Sequence, residues 1–178
     1  MKTKLLLLLL VTVVLTSCKN EKAIDNTEGT AAKPAESKIS IVLDMVVPED
    51  DVFQIFYTED GTANCAEERS VKTVVKGSPA SQKIKFDFSE DLAMNYLRID
   101  VGENPKQGQV KVNGMVYKYF DKTFEIKGSE FFTYFAPSTQ VEIDVRNATF
   151  TPISKGEVHD PTFYTLDPLK LELEKLLK

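Results

Sequence analysis

Alternation of apolar and polar residues with a period of two runs through most of the chain after residue 38, and this feature limits the fold most strongly. In residues 83–88 every second residue is Ile or Phe, and charged residues stand between them. Residues 39–47 show the same pattern and stop at Pro48. Because successive side chains of a strand point to opposite faces, this pattern predicts strands with one face in a core and one in water.

Further short segments with strand character are separated by turn signals rich in Gly, Pro, Asn and Asp. These segments are residues 52–57, 70–75, 96–101, 109–119, 123–126 and 140–145. About seven or eight short strands without long helices between them predict an all-β fold. We expect an antiparallel two-sheet β-sandwich with a jelly-roll or Ig-like layout over residues 39–165, and a closed barrel is the alternative.

The end of the chain, residues 166–178, predicts a short amphipathic helix. Asp167 suits the N-cap and Pro168 the first helical position. One face of this helix is apolar and carries Leu169, Leu173, Leu176 and Leu177. The stripe either packs on the sandwich or docks onto a partner protein. A second short helix is expected from Ser129 through Phe135, ending before Pro137.

The N-terminus has the layout of a signal peptide. Lys2 and Lys4 precede the apolar run Leu5–Leu15, which is about half the roughly 20 residues that a membrane-crossing helix needs. Leu15-Thr16-Ser17-Cys18 resembles the lipobox of bacterial lipoproteins. That resemblance implies cleavage after residue 17, attachment of diacylglycerol to the Cys18 sulfur, and a mature chain that begins at Cys18. The alternative is an ordinary secretory signal with a chance cysteine.

The segment after the lipobox is polar and nearly free of large apolar residues. Residues 18–38 therefore predict a flexible tether between the lipid on Cys18 and the folded body. The residue after the cysteine is Lys19, and the aspartate that marks inner-membrane retention in enteric lipoproteins is absent. The resemblance thus implies an outer-membrane lipoprotein. Whether it faces the periplasm or the cell surface stays open.

The charge of the chain argues against nucleic-acid binding. The formal net charge is −5, and loss of residues 1–17 with their two lysines makes it about −7, whereas nucleic-acid binding requires a basic surface.

With Cys18 lipidated, Cys65 is left without a disulfide partner. It is either a reactive thiol or, as we expect, a partly buried small side chain.

The chain offers few residues for catalysis. His159 is the single histidine, and the sequence places no nucleophile beside it. We therefore expect no enzymatic activity, no catalytic residues and no cofactor. Acidic pairs such as Glu49-Asp50 could bind a structural calcium ion, but no spacing matches a known calcium loop, so no metal ligands are predicted.

The segment 95–102 provides the candidate site. Leu97 and Ile99 are expected to face the core, while Tyr96, Arg98 and Asp100 share the opposite face. An arginine, an acid and an aromatic ring on one face could form a polar cleft for sugar hydroxyls. The simpler alternative is a surface ion pair that contributes little to stability.

Aromatic residues elsewhere could complete a sugar site. Tyr117 and Tyr119, two residues apart on one strand face, are expected to form a stacking pair, although aromatics of a sandwich are more often core. The segments 53–58, 68–71, 96–102 and 109–112 resemble β-sandwich accessory modules of bacterial envelope glycosyltransferases. Those modules are similar in layout to carbohydrate-binding modules, so the resemblance implies binding to a polysaccharide.

Two functions remain as hypotheses. The first is a lipid-anchored outer-membrane protein that binds glycan without catalysis through Tyr96, Arg98, Asp100, Tyr117 and Tyr119. The second is a scaffold or assembly lipoprotein that binds another envelope protein through its C-terminal helix and residues 131–135.

Overall fold

The computed structural model describes residues 37–154 and 158–178. The expected signal peptide, Cys18 and all but the last two residues of the expected tether lie outside these ranges. The first strands are β1 (Ile39–Val46), β2 (Asp51–Thr58), β3 (Ser70–Val75), β4 (Gln82–Phe88), β5 (Tyr96–Asp100), β6 (Val110–Tyr119) and β7 (Lys122–Lys127). They are followed by α1 (Phe131–Tyr134), β8 (Phe135–Pro137), β9 (Val141–Asp144), β10 (Thr149–Pro152), β11 (Thr162–Thr165) and α2 (Asp167–Leu177).

The strands form two antiparallel sheets. The first sheet has six strands in the order β4-β1-β6-β10-β9, with β7 also paired to β6. The second sheet has five strands in the order β3-β2-β5-β11-β8. Residues 39–46 of β1 pair with residues 111–119 of β6, far apart in sequence. The expectation of an all-β two-sheet sandwich is confirmed.

The alternating pattern explains which faces meet. In β1 the side chains of Ile39, Ile41 and Leu43 are fully buried, and in β4 those of Ile84 and Phe86 are buried. They belong to one hydrophobic core to which the strands of both sheets contribute. The charged residues between them lie on the outer faces, as period-two alternation requires.

Three strands were not expected from the sequence. They are β8, β10 and β11, each of four residues or fewer. Phe150 of β10 and Phe163 of β11 are buried, and their ring centroids lie 5.2 Å apart in an edge-to-face arrangement. A single buried phenylalanine thus fixes each of these two strands in the core.

The phenylalanine-rich segment differs from its prediction. A 3-10 turn over Gly128–Glu130 leads into the one-turn helix α1, but Phe135 already belongs to strand β8. Phe131 and Phe135 are fully buried and stack with their centroids 4.7 Å apart. These two rings are therefore part of the core.

Helix α2 packs on the sandwich, which is one of the two outcomes that its apolar stripe predicts. It begins at Asp167, and Leu166, not Asp167, is its N-cap. Leu169, Leu173 and Leu176 are buried, and Lys122 Nζ of β7 donates a 3.0 Å hydrogen bond to the Leu176 carbonyl. Among the described residues, no helix is both long and apolar enough to cross a membrane.

The loop after β5 is held by one buried carboxylate. Asp51 Oδ1 accepts hydrogen bonds from the backbone N–H groups of Glu103 and Asn104, at 2.7 and 3.0 Å. Gly102 has a φ of +133°, and a Cβ atom placed on it would lie 2.4 Å from Asp51 Oδ2. Only glycine combines this backbone conformation with such a close approach.

Candidate functional site

The outer face of the second sheet carries the residues that the sequence singled out. Tyr96, Arg98 and Asp100 alternate along β5 with the buried Leu97 and Ile99, as predicted. The register places Arg98 between Phe56 of β2 and Tyr164 of β11. Asp100 lies in the next row, between Gln54 and Thr162.

Arg98 and Asp100 form a two-point ion pair. Arg98 Nε donates to Asp100 Oδ1 at 2.8 Å, and Nη2 donates to Oδ2 at 2.7 Å. The guanidinium carbon also lies 4.7 Å from the centroid of the Phe56 ring. An arginine held in this way presents its remaining N–H groups in a fixed direction.

The pair is only partly open to solvent. The side chain of Arg98 is 25% exposed and that of Asp100 is 18% exposed. Burial raises the pKa of the Asp100 carboxyl, while the hydrogen bonds and charge of Arg98 act to lower it. Because it is partly buried, this pair differs from fully solvated ion pairs, which contribute little to folding stability.

Tyr96 does not line an open cleft. Its side chain is buried, although it points to the outer face of the sheet. The segment between β2 and β3 covers part of this face, since Thr58 Oγ1 donates to the Thr62 carbonyl and Gln54 Nε2 donates to Glu67 Oε1. In this structure Tyr96 therefore offers little surface to a ligand, and its expected contact with one stays a prediction.

The two tyrosines of β6 that were expected to stack on a sugar pack into the core. Tyr117 is fully buried, and Tyr119 is partly buried against the same core. Their ring planes are inclined by 57°, with centroids 6.5 Å apart. The two rings share a strand face as predicted, but that face is the inner one.

Two residues that the sequence did not single out complete the outer face. Tyr164 lies next to Arg98 in the register, and its side chain is 37% exposed. Asp160 approaches from the chain before β11, with Oδ1 3.4 Å from Arg98 Nη2. We call the surface formed by Arg98, Asp160 and Tyr164 the arginine patch.

Cys65 lies close to this patch and is partly buried, as expected. Burial raises the pKa of its thiol, and the nearby positive charge of Arg98 opposes that rise. A thiol with a raised pKa is poorly ionised near neutral pH and is a weak nucleophile.

The single histidine has an unexpected neighbour. Ser154 Oγ lies 2.9 Å from His159 Nδ1. A catalytic pair needs a third group that orients the imidazole, but the other ring nitrogen, Nε2, has no hydrogen-bond partner within residues 37–154 and 158–178. In the same ranges no three His, Cys, Asp or Glu side chains are grouped so that they could hold a metal ion.

Comparisons with known proteins identify no relative. No family model, no curated protein and no solved structure matches the chain. The resemblances to lipoproteins and to carbohydrate-binding accessory modules therefore stay expectations from sequence.

Proposed function

We propose that this chain is a lipid-anchored protein of the bacterial outer membrane whose sandwich binds glycan through the arginine patch without transforming it. One observation carries the proposal: the exposed ring of Tyr164 lies beside an arginine that Asp100 and Phe56 hold in place. The patch thus combines an aromatic ring, a charged hydrogen-bond donor and a carboxylate acceptor, which are groups by which proteins bind sugars.

Each member of the patch has a role in this proposal. The Tyr164 ring stacks on the apolar face of a pyranose ring. Arg98 donates hydrogen bonds to sugar oxygens, and the Asp160 carboxylate, whose side chain is 49% exposed, accepts them from sugar hydroxyls. Asp100 orients Arg98 and does not itself contact the ligand.

The anchor in this proposal is the lipid on Cys18. Two or three acyl chains, each contributing about 0.8 kcal/mol per buried methylene, hold a protein firmly on a membrane. Labelling of cells with a radioactive or alkyne-bearing fatty acid tests this part directly. Label in the native chain and none in Cys18→Ser is expected; label in both would contradict the assignment.

Glycan binding is tested with the mature chain, residues 18–178, carrying Cys18→Ser so that it is soluble without lipid. The protein is applied to an array of bacterial and host polysaccharides with and without calcium. Tyr164→Ala is the test variant, because loss of a partly exposed ring changes the folding free energy by only about 0.5 kcal/mol. We expect it to lose at least about tenfold in affinity.

The matched control is Phe120→Ala. Phe120 is 38% exposed, close to the 37% of Tyr164, and lies at the turn between β6 and β7. The control should bind as the parent does. Equal loss in both variants, or no binding by the parent to any glycan, would refute the arginine patch as a glycan site.

The scaffold hypothesis has less support. The apolar stripe of α2 is buried, and so are Phe131 and Phe135. Leu171, on the outer side of α2, is 57% exposed and is the one large apolar residue that this helix presents to solvent. The two surfaces that suggested a partner protein are thus used within the chain itself.

A further inference from the structure

A groove of about 310 Å³ lies on the outer face of the first sheet, on the opposite side of the sandwich from the arginine patch. It is formed where β1, β6 and β7 run side by side around Gly114. The side chains that matter for its chemistry are those of Val42, Asp44, Lys83, Val116, Glu125 and Lys127. Its volume lies at the lower end of the range of small-molecule sites.

The groove exists because of an irregularity in β6. Asp44 pairs with Gly114 whereas Met45 pairs with Val112, so Asn113 is an extra residue in β6. Bulges of this kind redirect side chains and are common next to binding sites. Gly114 itself cannot be replaced without disturbance, since a Cβ atom there would lie 2.7 Å from the Ile126 carbonyl oxygen of β7. The strand therefore lacks a side chain in the middle of the sheet face.

The charged side chains around the groove differ in whether they have a hydrogen-bond or ion-pair partner. Asp44 Oδ1 accepts hydrogen bonds from Ser81 Oγ and from Asn113 Nδ2. In contrast, among the described residues Lys83, Lys127 and Glu125 lie within 4 Å of no oppositely charged group. Within residues 37–154 and 158–178, two cations and one acid thus face the groove without an ion-pair partner, and Asp44 is a second acid beside them.

In the next register row of the sheet, a lysine of the same strand has a charged partner. Lys85, two residues from Lys83 on the same strand face, pairs with Asp87 at 2.9 Å. The floor of the groove is apolar in that same row, because Val42, the register partner of Lys85, also pairs with Val116. Among the described residues, the groove therefore combines an apolar floor, two ammonium groups without an ion-pair partner, the unpaired carboxylate of Glu125 and the carboxylate of Asp44, which is hydrogen-bonded to neutral groups.

We propose that this groove binds an acidic saccharide. The sugar carboxylate lies between Lys83 and Lys127, a hydroxyl donates to Glu125, and the C–H face of the ring rests on Val42 and Val116. The net charge of about −7 after residue 17 repels anions in general, so binding of an anion requires these local lysines. The inference does not depend on the arginine patch, which belongs to the other sheet.

The test uses the Cys18→Ser mature chain and tetragalacturonic acid, with its fully methyl-esterified form as the neutral probe. Calorimetry should detect binding of the acid and at least about tenfold weaker binding of the ester. The affinity for the acid should fall as salt is raised from about 0.05 to 0.5 M. Equal affinity for both probes, or binding of neither, would overturn the proposal.

Variants locate the site. Lys83→Gln/Lys127→Gln should lose at least about tenfold in affinity for the acid, and each single change should lose part of it. The matched control is Lys111→Gln/Lys118→Gln, which makes the same charge change on β6 outside the groove. An equal loss in the control would show a general charge effect and refute the groove site. The amide spectrum of each variant verifies its fold.

Tyr164→Ala separates this proposal from the proposed function. It should leave tetragalacturonate binding unchanged, because Tyr164 belongs to the second sheet. Loss of binding in Tyr164→Ala together with unchanged binding in Lys83→Gln/Lys127→Gln would move the acid to the arginine patch and refute the groove.

Discussion

The guanidinium carbon of Arg98 lies 4.7 Å from the centre of the Phe56 ring on the neighbouring strand. Phe56 points to the outer face of its sheet but is only 6% exposed, so the arginine and the ring shield one another from solvent. A cation over a partly desolvated aromatic face contributes about 0.5–2 kcal/mol. Arg98 is therefore a structural residue as well as the centre of the arginine patch.

We expect Arg98→Ala to be destabilising because it leaves Asp100 mostly buried without its partner. The free energy of unfolding near pH 7 should fall by about 1–3 kcal/mol, which is measurable by urea denaturation. Lys111→Ala, at an exposed position on the other sheet, is the control and should change it by less than about 0.5 kcal/mol.

The pH dependence of the same variant follows from Asp100. Burial raises the pKa of this carboxyl in the folded protein, and Arg98 acts to lower it. A carboxyl with a raised folded-state pKa binds its proton more tightly when folded, so its contribution to stability falls as pH rises above about 3.9. Without Arg98 the pKa rises further, and the deficit of Arg98→Ala should be larger at pH 7 than at pH 4. A deficit that grows on acidification would contradict this account.

Tyr117→Phe should leave stability unchanged or raise it by up to about 1 kcal/mol. The Tyr117 hydroxyl is buried and has no hydrogen-bond partner among the described residues, and burial strongly raises its pKa. Removal of an unsatisfied buried hydroxyl relieves a desolvation cost. Thermal and urea unfolding measure the effect, and destabilisation by more than about 1 kcal/mol would show that the hydroxyl has a partner.

The packing of α2 can be tested with two leucines of the same helix. Leu173 is fully buried, whereas Leu171 is 57% exposed. Leu173→Ala should lower the free energy of unfolding by about 2–5 kcal/mol, and Leu171→Ala by less than about 0.5 kcal/mol. Similar small effects for both would mean that α2 does not pack stably on the sandwich in solution.

Two glycines of the loop before β6 should respond differently to alanine. Gly102→Ala places a Cβ atom against the Asp51 carboxylate at a φ of +133°, and we expect a loss of about 2–4 kcal/mol. A Cβ atom on Gly108 would come no closer than 3.4 Å to Pro48, so Gly108→Ala should cost less than about 1 kcal/mol. Equal costs would show that the Asp51 anchor does not hold this loop.

The sequence predicted the strands that carry several alternating residues. The bounds of β1, β4 and β6 agree with the prediction within one or two residues. β1 and β4 each bury at least three side chains at a spacing of two, and β6 buries two such pairs, one on either side of its bulge. β10 and β11 were missed because each buries a single phenylalanine, which gives no period to detect. Such short strands are stabilised by pairing with the strands beside them in the sheet, which a local pattern does not show.

The candidate site could be predicted only in part. The alternation along β5 placed Arg98 and Asp100 on one face, and the structure pairs them. The proximity of Tyr164 depends on β11 lying next to β5, a pairing across more than 60 residues that no local pattern reveals. The burial of Tyr96 and Tyr117 likewise depends on which segments cover each face.

The pairing of β1 with β6 bears on how such a chain reaches its native state. Its partners are separated by about 70 residues, so this ladder cannot form until β1 through β6 have all been synthesised, although β1 can also pair with β4 and β6 with β7. Loop closure of this length makes folding slow compared with that of helical proteins of the same size. During that interval the edge of β1 that pairs with β6 is open to pairing with other chains. A chain that stays unfolded during this interval would depend on holdase chaperones, and its yield should fall at high expression levels.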